Sequence, residues 1–471
     1  MILNSDALTR KELQSIIQSM EIIEHLKRQE GKTLKFKRDL SSPNKILRTI
    51  AAFANTAGGV LLIGVEDSTR AVRGVPNPLD EEERLANLIA DSILPQVVPD
   101  IEILPWRKTY ILCVRIHPGF NRPYFLRKLG PEKGSFVRVG STNRVADRAM
   151  LDELRRTARN ESFDELPMAE LNSEVIDFRA ASECFAPVRR LKRQDFKTLR
   201  LVTTYQERLC PTIGGFLLFG KDRLMQFPDA WIQAGRFDGD DRSLIQDHLE
   251  LTGMLTQAIE AVLEFVTKHD ERRADLRGIR RVDRWFYPPS AVREAIINAV
   301  VHADYAQQGA PIRVSIFNDR IEIENPGILP FGLTVDDIRK GVSKLRNRVI
   351  GRVFRELGLI EQWGSGIQRM IRACNEAGQE EPLFEEVGLH FRVTLYRERK
   401  KEPVTDQVDA KILAVLKKHG ELSTKKIADL IDRSARATRT RMIGLIDKGL
   451  VIEIGTGPRD PQKRYALARN P

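Results

Sequence analysis

The 471-residue sequence is poor in features that would place it in a membrane or an oxidising compartment. Its four cysteines are widely scattered, at positions 113, 184, 210 and 374, which argues against a disulfide framework and suits a reducing cytoplasm. No apolar run approaches the roughly 20 residues that a membrane-crossing helix needs, and charged side chains occur throughout the N-terminal segment, unlike a signal peptide. The histidines form no Cys/His cluster with metal-ligand spacing, so no structural zinc site is expected. We therefore expect a cytoplasmic protein with no membrane partner.

The length predicts about three domains, each able to bury its own core. Apolar residues make up 42% of the chain and charged residues 30%, as in ordinary folded proteins. The net charge is +11, which is a mild indication of an anionic partner such as nucleic acid.

One helix between Pro288 and Tyr305 carries polar side chains at a regular spacing. Glu294, Asn298 and His302 lie at i, i+4 and i+8, so a helix stacks them along one side. Two interpretations are open at this point: a core helix with three exposed polar residues, or one wall of a binding site.

The segments after this helix favour a site. Two alternating runs, 312–318 and 320–327, predict a β-hairpin that ends in Asn-Pro-Gly. Further on, after SKLRN at 343–347, a Gly-Ser-Gly at 364–366 opens an amphipathic helix. Glycines at a helix N-terminus let backbone amides approach a phosphate, and the helix dipole favours its negative charge.

This order of elements resembles the ATP-binding domain shared by DNA gyrase, histidine kinases and MutL, the GHKL superfamily, over residues 285–397. It is most similar to a divergent branch labelled RecG-like, although no helicase motifs occur here. The resemblance implies ATP and Mg²⁺ as cofactors. It makes Glu294 the general base that orients the attacking water, and Asn298 the magnesium ligand through its amide oxygen.

The resemblance also implies a set of nucleotide contacts, namely His302, Asn325, Gly327, Arg346, Asn347, Gly364 and Gly366. The chain departs from the family at the adenine end, where Asp-x-Gly-x-Gly is usual and this sequence has Asn325-Pro326-Gly327. An amide oxygen still accepts from the adenine amino group, but a bond without charge is weaker. We therefore expect nucleotide binding, with weak ATP hydrolysis left open.

A second set of spaced phrases occupies residues 30–147. A basic strand at 30–40 precedes a helix at 44–59, which ends at a Gly pair and leads into a buried strand at 60–67. With the phrases FANTAGGVLLIGV, RPYFL and FVRVGSTNR, this order resembles the AlbA-like domain of the Schlafen family.

Schlafen nucleases carry three carboxylates in this domain, which bind a divalent metal for phosphodiester cleavage. Glu30 fits the first position and Asp67, or the adjacent Glu66, fits the third, but Lys35 stands at the second. A lysine puts a positive charge where the metal would lie, so the resemblance implies nucleic-acid binding without cleavage. Phosphate contacts are then expected from Lys32, Lys35, Lys37, Arg38, Arg138 and Arg144. The alternative is a solvated basic face.

Residues 148–284 are expected to connect these two blocks. The Gly-Gly phrase at 211–222 predicts a strand because it resembles the phrase at 56–67, and a further strand is expected at 230–237. A long helix is predicted over 248–268, followed by a charged connector.

The C-terminal segment predicts a winged helix, in which three helices precede two strands around a basic turn. Residues 405–471 hold 14 Lys and Arg against 8 Asp and Glu. Arg436, Arg439 and Arg441 lie on the helix expected to reach the major groove, and Arg459, Lys463 and Arg464 lie in the wing. A winged helix used for protein contact is the alternative.

Together these segments predict a multi-domain α/β protein. Its expected parts are an N-terminal helix (1–29), an AlbA/Schlafen-like nucleic-acid-binding domain (30–147), a connecting α/β region (148–284), a GHKL-like α/β sandwich (285–397) and a winged-helix DNA-binding domain (404–471). The first hypothesis is an ATP-responsive DNA-binding protein, a transcriptional regulator whose nucleotide-bound state controls dimer geometry and DNA affinity. The alternative is a Schlafen-like, nucleotide-gated nuclease or anti-phage defence effector. The expected partners are DNA, or RNA in its place, and further copies of the chain in a homodimer or higher homo-oligomer.

Overall fold

The computed structural model describes residues 20–270, 272–275, 282–307, 309–361, 364–397, 407–447, 450–454 and 463–468. The chain separates into two compact units, of which the first combines Met1–Ala146 with Lys401–Pro471 and the second is Asp147–Lys400. Both units mix helices and sheets, so the predicted mixed α/β class is confirmed. Among the described residues, no helix has the length and apolar character needed to cross a membrane.

The N-terminal part of the first unit is built on a four-stranded sheet. Its elements are α1 (20–27), β1 (Leu34–Lys37), α2 (Pro43–Asn55), β2 (Gly59–Ile63), α3 (Pro78–Ser92), β3 (Ile93–Leu94), β4 (Asp100–Trp106), β5 (Thr109–Ile116), β6 (Phe125–Leu126), α4 (Gly130–Gly134), β7 (Phe136–Val139) and β8 (Thr142–Val145). The strand order is β1-β2-β5-β4, with β1 parallel to β2 and the other neighbours antiparallel.

Strand alternation decides which side chains of β1 are available. Leu34 and Phe36 are buried in a core that includes Ile22 of α1, whereas Lys35 and Lys37 are half-buried on the other face. The helix α2 buries its apolar side in a second core. The two lysines therefore lie at the parallel edge strand, next to the chain that follows β2.

The second unit contains a six-stranded sheet covered by helices. Its elements are α5 (Arg148–Ala158), α6 (Phe178–Phe185), α7 (Asp195–Thr198), β9 (Val202–Tyr205), β10 (Arg208–Pro211), α8 (Ile213–Phe219), α9 (Arg223–Gln226), β11 (Ile232–Phe237), β12 (Ile245–Leu251), α10 (Leu255–His269), β13 (Arg272–Asp275), β14 (Val282–Trp285), α11 (Pro289–His302), β15 (Ile312–Ile316), β16 (Arg320–Pro326), α12 (Val335–Arg339), α13 (Arg348–Glu356), α14 (Gly366–Glu376), β17 (Leu383–Val387) and β18 (His390–Tyr396).

The sheet order is β12-β11-β15-β16-β18-β17, so two strands of the segment expected to connect the blocks join the same sheet as the predicted hairpin. β11 runs parallel to β15, and the other neighbours are antiparallel. One large core joins this sheet to α10, α11, α13 and α14 through apolar side chains. The predicted strand at 230–237 and the hairpin that ends in Asn-Pro-Gly are both confirmed.

Two predictions in this region are wrong. The phrase at 211–222 forms the helix α8 rather than a strand, because the Thr212 side chain caps it by accepting from the Gly215 amide at 3.0 Å. A Cβ on Gly215 would lie 2.0 Å from the Leu201 carbonyl oxygen, so this glycine allows close packing and gives no evidence of an internal repeat. The helix predicted over 248–268 begins only at Leu255, since the residues before it form β12.

The C-terminal part of the first unit has three helices followed by a pair of strands. The elements are α15 (Gln407–His419), α16 (Thr424–Leu430), α17 (Ala435–Asp447), β19 (Val451–Ile454) and β20 (Arg464–Leu467). Ser423 caps α16, accepting from the Lys426 amide, and the strands pair antiparallel. The element order is the one the sequence predicts, and its assignment as a winged helix stays a prediction.

Candidate functional site

A cleft in the second unit collects the polar side chains of α11. Glu294, Asn298 and His302 line it at successive turns of the helix. The empty space between its walls is about 1040 Å³, a figure that includes open solvent. Pro289 starts α11 in the first turn, where a missing N–H leaves no helical hydrogen bond unmade.

The other walls come from the end of β16 and the start of α14. Asn325 and Gly327 line the cleft after the hairpin, and Gly364 and Gly366 line it where α14 begins. The structure therefore brings together seven of the nine residues predicted for the ATP site, including Glu294, from three separate stretches of sequence.

At two glycines of the cleft, an added Cβ would meet a neighbouring side chain. Gly327 has a φ of +97°, and a Cβ there would lie 2.7 Å from Asp304 Cβ. A Cβ on Gly366 would lie 1.9 Å from Glu294 Oε1. The second close approach places the Glu294 carboxylate directly against the first turn of α14.

Glu294 has a partner that sequence reasoning did not identify. Arg369, in the first turn of α14, donates to Glu294 Oε2 at 2.9 Å, and its other terminal nitrogen pairs with Glu361. Glu294 is 8% exposed, and a carboxylate so far from water needs such a partner. No local pattern reveals the pair, because the two residues are 75 positions apart and meet only through the packing of α11 on α14.

The surroundings of two polar side chains in the cleft define the protonation state of one and the hydrogen bonding of the other. Burial, and to a smaller extent the positive charge of Arg346, lower the pKa of His302 to about 4, so the imidazole is neutral at pH 7. The Asn325 amide nitrogen donates to the Pro326 carbonyl oxygen at 3.0 Å. The side-chain oxygen of Asn325 is then the group left to accept from a ligand, as the adenine role requires.

Asn347 is placed differently from the prediction. It is fully buried, it is not among the described residues that line the cleft, and its amide nitrogen donates to the carbonyls of Val301 and Ala303 at 2.9 and 2.7 Å. Its assignment as a nucleotide contact is therefore corrected: Asn347 satisfies the carbonyl groups left over where α11 ends.

Arg346 is also absent from the described cleft lining, and its assignment as a nucleotide contact is corrected too. Its guanidinium pairs with Glu153 at 2.9 Å and with Asp304 at 3.4 Å, and it donates to the Ile328 carbonyl. Arg346 is therefore paired with carboxylates of the protein itself, and these contacts hold α5 to the chain after β16.

In the first unit, the predicted carboxylates meet around lysine. The Lys35 ammonium pairs with Glu30 and lies 3.8 Å from Asp67 Oδ2, and Lys37 also pairs with Asp67. Glu66 instead accepts from Thr69 and Arg73. No group of three or more His, Cys, Asp or Glu suited to a metal ion is found among the residues that the structure describes.

One predicted phosphate contact in this domain is wrong. Arg138 is fully buried, stacks over the Phe53 ring at 5.2 Å and donates to Gly31 O at 2.9 Å and Leu34 O at 3.2 Å. Burial lowers its pKa to about 10, which still leaves the guanidinium charged at pH 7. Arg138 thus holds β7 to the chain around β1 and is closed to a phosphate.

The remaining basic residues of this domain differ in exposure. Arg38 and Arg144 are exposed, and Lys32, Lys35 and Lys37 are half-buried. The two exposed arginines are therefore the members of the predicted set most accessible to an anionic partner.

In the C-terminal helices, Arg436, Arg439 and Arg441 are all exposed on α17, and Arg441 pairs with Asp409 at 3.6 Å. Arg464 is exposed on β20, whereas Lys463 is half-buried and pairs with Glu453 at 2.6 Å. Arg459 lies outside the described residues.

Comparison with known proteins agrees with both resemblances. Residues 309–395 match the family described as "Putative ATP-dependent DNA helicase recG C-terminal". Residues 30–147 match the family described as "Schlafen, AlbA_2".

Two solved structures are similar over different shares of the chain. The DIP2311 protein from Corynebacterium diphtheriae is 19% identical over 96% of this chain and 97% of that chain, with a TM-score of 0.43. The N-terminal domain of a RecG-related protein from Nitrosomonas europaea, named as an ATP-dependent DNA helicase relative, is 22% identical over 27% of this chain and 92% of that chain, with a TM-score of 0.23. By the two family matches, the chain carries a Schlafen AlbA_2-like domain and a RecG C-terminal ATPase-like domain.

Proposed function

We propose that this protein is an ATP-responsive DNA-binding protein, a transcriptional regulator in which bound nucleotide changes the affinity for DNA. The observation that supports it best is the cleft of the second unit, where Glu294, Asn298, Asn325, Gly364 and Gly366 meet although they come from separate elements. The two family matches, one to an ATPase-like domain and one to a Schlafen AlbA_2 domain, support the same combination.

The cleft residues fit a magnesium nucleotide. Asn298 offers a hard amide oxygen from the cleft wall, and Asn325 has an acceptor left after its own nitrogen is used. The backbone amides at the start of α14 favour an anion, and the glycines there admit one closely. Magnesium would neutralise charge on the phosphates, and Asn298 would hold it while Glu294 orients a water.

The DNA-contacting residues in this proposal lie in the first unit. Arg436, Arg439 and Arg441 are exposed on α17, the helix that would enter the major groove. Arg38 and Arg144 would add sequence-independent phosphate contacts. Two copies of the chain would bind paired half-sites, and nucleotide would alter their spacing.

Fluorescence anisotropy on labelled duplex DNA tests this proposal. DNA affinity of the full chain is measured with and without Mg-ATP, for wild type and Asn298→Ala, and the DNA is afterwards checked for cleavage. ATP is expected to change the wild-type affinity and not that of the variant, with the DNA intact. An unchanged wild-type affinity would refute ATP-responsive DNA binding.

The nuclease alternative has one observation in its favour, since Glu30 and Asp67 do approach the same lysine. Metal-dependent cleavage by wild type that is lost in Asp67→Ala would establish this alternative. Because Lys35 stands between the two carboxylates, we expect no cleavage.

A further inference from the structure

We propose that Arg369 is the residue that recognises the terminal phosphate of the bound nucleotide, exchanging its partner Glu294 for that phosphate. This inference rests on the proposed ATP site and identifies which part of the nucleotide the site distinguishes.

The guanidinium of Arg369 is positioned for such an exchange. It lines the cleft, its side chain is 37% exposed, and two different carboxylates hold its two terminal nitrogens. Glu361, one of these carboxylates, is 62% exposed, so water competes with it for Arg369 and weakens this ion pair. A planar guanidinium with several donors binds a phosphate in the same forked manner as it binds a carboxylate.

The Glu294 carboxylate already occupies the place where a phosphate would be favoured. Its Oε1 lies against the backbone of Gly366, within the space a Cβ would need, at the N-terminal turn of the eleven-residue helix α14. A helix N-terminus stabilises a negative group there. Glu294 and a nucleotide phosphate are therefore competing anions for the same two partners, the helix end and Arg369.

The charge of the cleft leads to the same exchange. Among the described lining residues, the carboxylates are Glu294 and Glu361 and the cations are Lys344 and Arg369. The Lys344 ammonium donates to the Phe331 carbonyl at 3.1 Å. Both of these carboxylates pair with Arg369, so a terminal phosphate that takes a bond from this guanidinium replaces one of them. Arg369 can exchange its bond to one carboxylate for a bond to the phosphate while it keeps its bond to the other carboxylate.

The exchange makes the site selective for nucleotides with a long phosphate chain. AMP would leave the pair between Arg369 and Glu294 in place, whereas ATP would break it and free Glu294 to orient a water. Arg369 is a positioning residue for Glu294 in the first state and a phosphate contact in the second.

Calorimetric titration of the full chain with Mg-ATP, ADP and AMP tests this inference. Arg369→Gln is expected to weaken ATP binding by roughly tenfold or more, as loss of a charge-assisted hydrogen bond does, and AMP binding by less than about twofold. Arg372→Gln is the matched control, because Arg372 is exposed on the same helix and is not among the described residues of the cleft wall. It should change neither affinity.

Two further variants keep the test decisive if Arg369→Gln does not fold. Arg369→Lys retains the charge and should bind ATP with an affinity between those of wild type and Arg369→Gln. Glu294→Gln removes the competing anion and should tighten ATP binding several-fold relative to AMP. If Arg369→Gln and Arg369→Lys bind ATP as tightly as wild type, Arg369 only restrains Glu294 and the inference is wrong. If wild type binds no adenine nucleotide, the proposed function itself fails, and the inference with it.

Discussion

The cleft of the second unit and a cluster in the first unit both pair carboxylates with cations, but by different routes. The second site, here called the lysine cluster, consists of Lys35, Lys37, Glu30 and Asp67. In the cleft, Glu294 and Arg369 come from two helices, and the partners lie beside amide groups and glycines that suit a phosphate. In the cluster, the Lys35 ammonium pairs with Glu30 and lies 3.8 Å from Asp67 Oδ2, on one strand and the chain around it. In the cleft, a phosphate can take the place of the Glu294 carboxylate on Arg369. In the cluster, the lysine itself is the cation that the carboxylates bind.

Buried and exposed arginines of the first unit should differ in how much they contribute to stability. Arg138→Ala should lower the free energy of unfolding by about 3 kcal/mol or more, since it leaves buried carbonyls without donors and a cavity beside Phe53. Arg144→Ala, on the paired strand but exposed, should cost within about 0.5 kcal/mol. Urea unfolding of both variants measures this. A stable Arg138→Ala that loses only DNA affinity would restore the predicted phosphate role.

A histidine of the cleft should make the free energy of unfolding depend on pH. The pKa of His302 is lowered from 6.5 to about 4 in the folded protein, so its stabilising contribution is complete above pH 6.5 and is lost as the pH falls toward 4. The free energy of unfolding should fall by up to about 3 kcal/mol over this range through this group.

Urea unfolding at several pH values between 7 and 4 checks this, with His302→Gln expected to lose that part of the pH slope. His117→Gln, at an exposed histidine of the other unit, should keep the slope. Equal slopes for wild type and His302→Gln would show that the imidazole is not shielded from water.

The lysine cluster should convert to a metal site by one substitution. Lys35→Glu places a third carboxylate beside Glu30 and Asp67, so without metal it should destabilise the fold by roughly 1–2 kcal/mol through like-charge repulsion. Mn²⁺ should restore that stability in a thermal unfolding assay, because a bound ion stabilises the folded state.

Arg38→Glu is the control for this substitution, since it makes the same charge change at an exposed neighbour. It should show no Mn²⁺-dependent gain. The same outcome for Lys35→Glu would mean that the carboxylates do not converge closely enough to share an ion.

The smallest effect is expected on the C-terminal helix. Arg436→Ala and Arg439→Ala should each weaken DNA binding a few-fold and reduce the slope of log affinity against log salt by about 1. Anisotropy titrations over a range of salt concentrations measure this. An unchanged slope in both variants would favour α17 as a protein-contact surface.

Local sequence patterns could predict those parts of the site that depend on one element. The spacing of Glu294, Asn298 and His302 places them on one side of a helix whatever that helix packs against, and Gly364, with a φ of +64°, lies just before the start of α14. These predictions needed no knowledge of the fold.

Contacts between distant elements could not be predicted in this way. The pairing of Arg369 with Glu294 depends on the packing of α11 on α14, and the role of Asn347 depends on where α11 ends in space. Arg138 was mistaken for a surface residue because all four residues of β7 are buried, so strand alternation gives no outward position there. The Gly-Gly of α8 resembled a strand signal, but it marks close helix packing.

Magnesium-dependent ATP binding to the full chain, measured by calorimetry for wild type and Asn298→Ala, tests the central claim most directly. The account predicts saturable binding by wild type, with affinity at least about tenfold weaker in Asn298→Ala or when magnesium is removed. Asn375→Ala, at an exposed asparagine of α14, should bind as wild type does. No ATP binding by wild type, or equal binding by wild type and Asn298→Ala, would contradict the assignment of the cleft as a magnesium-nucleotide site.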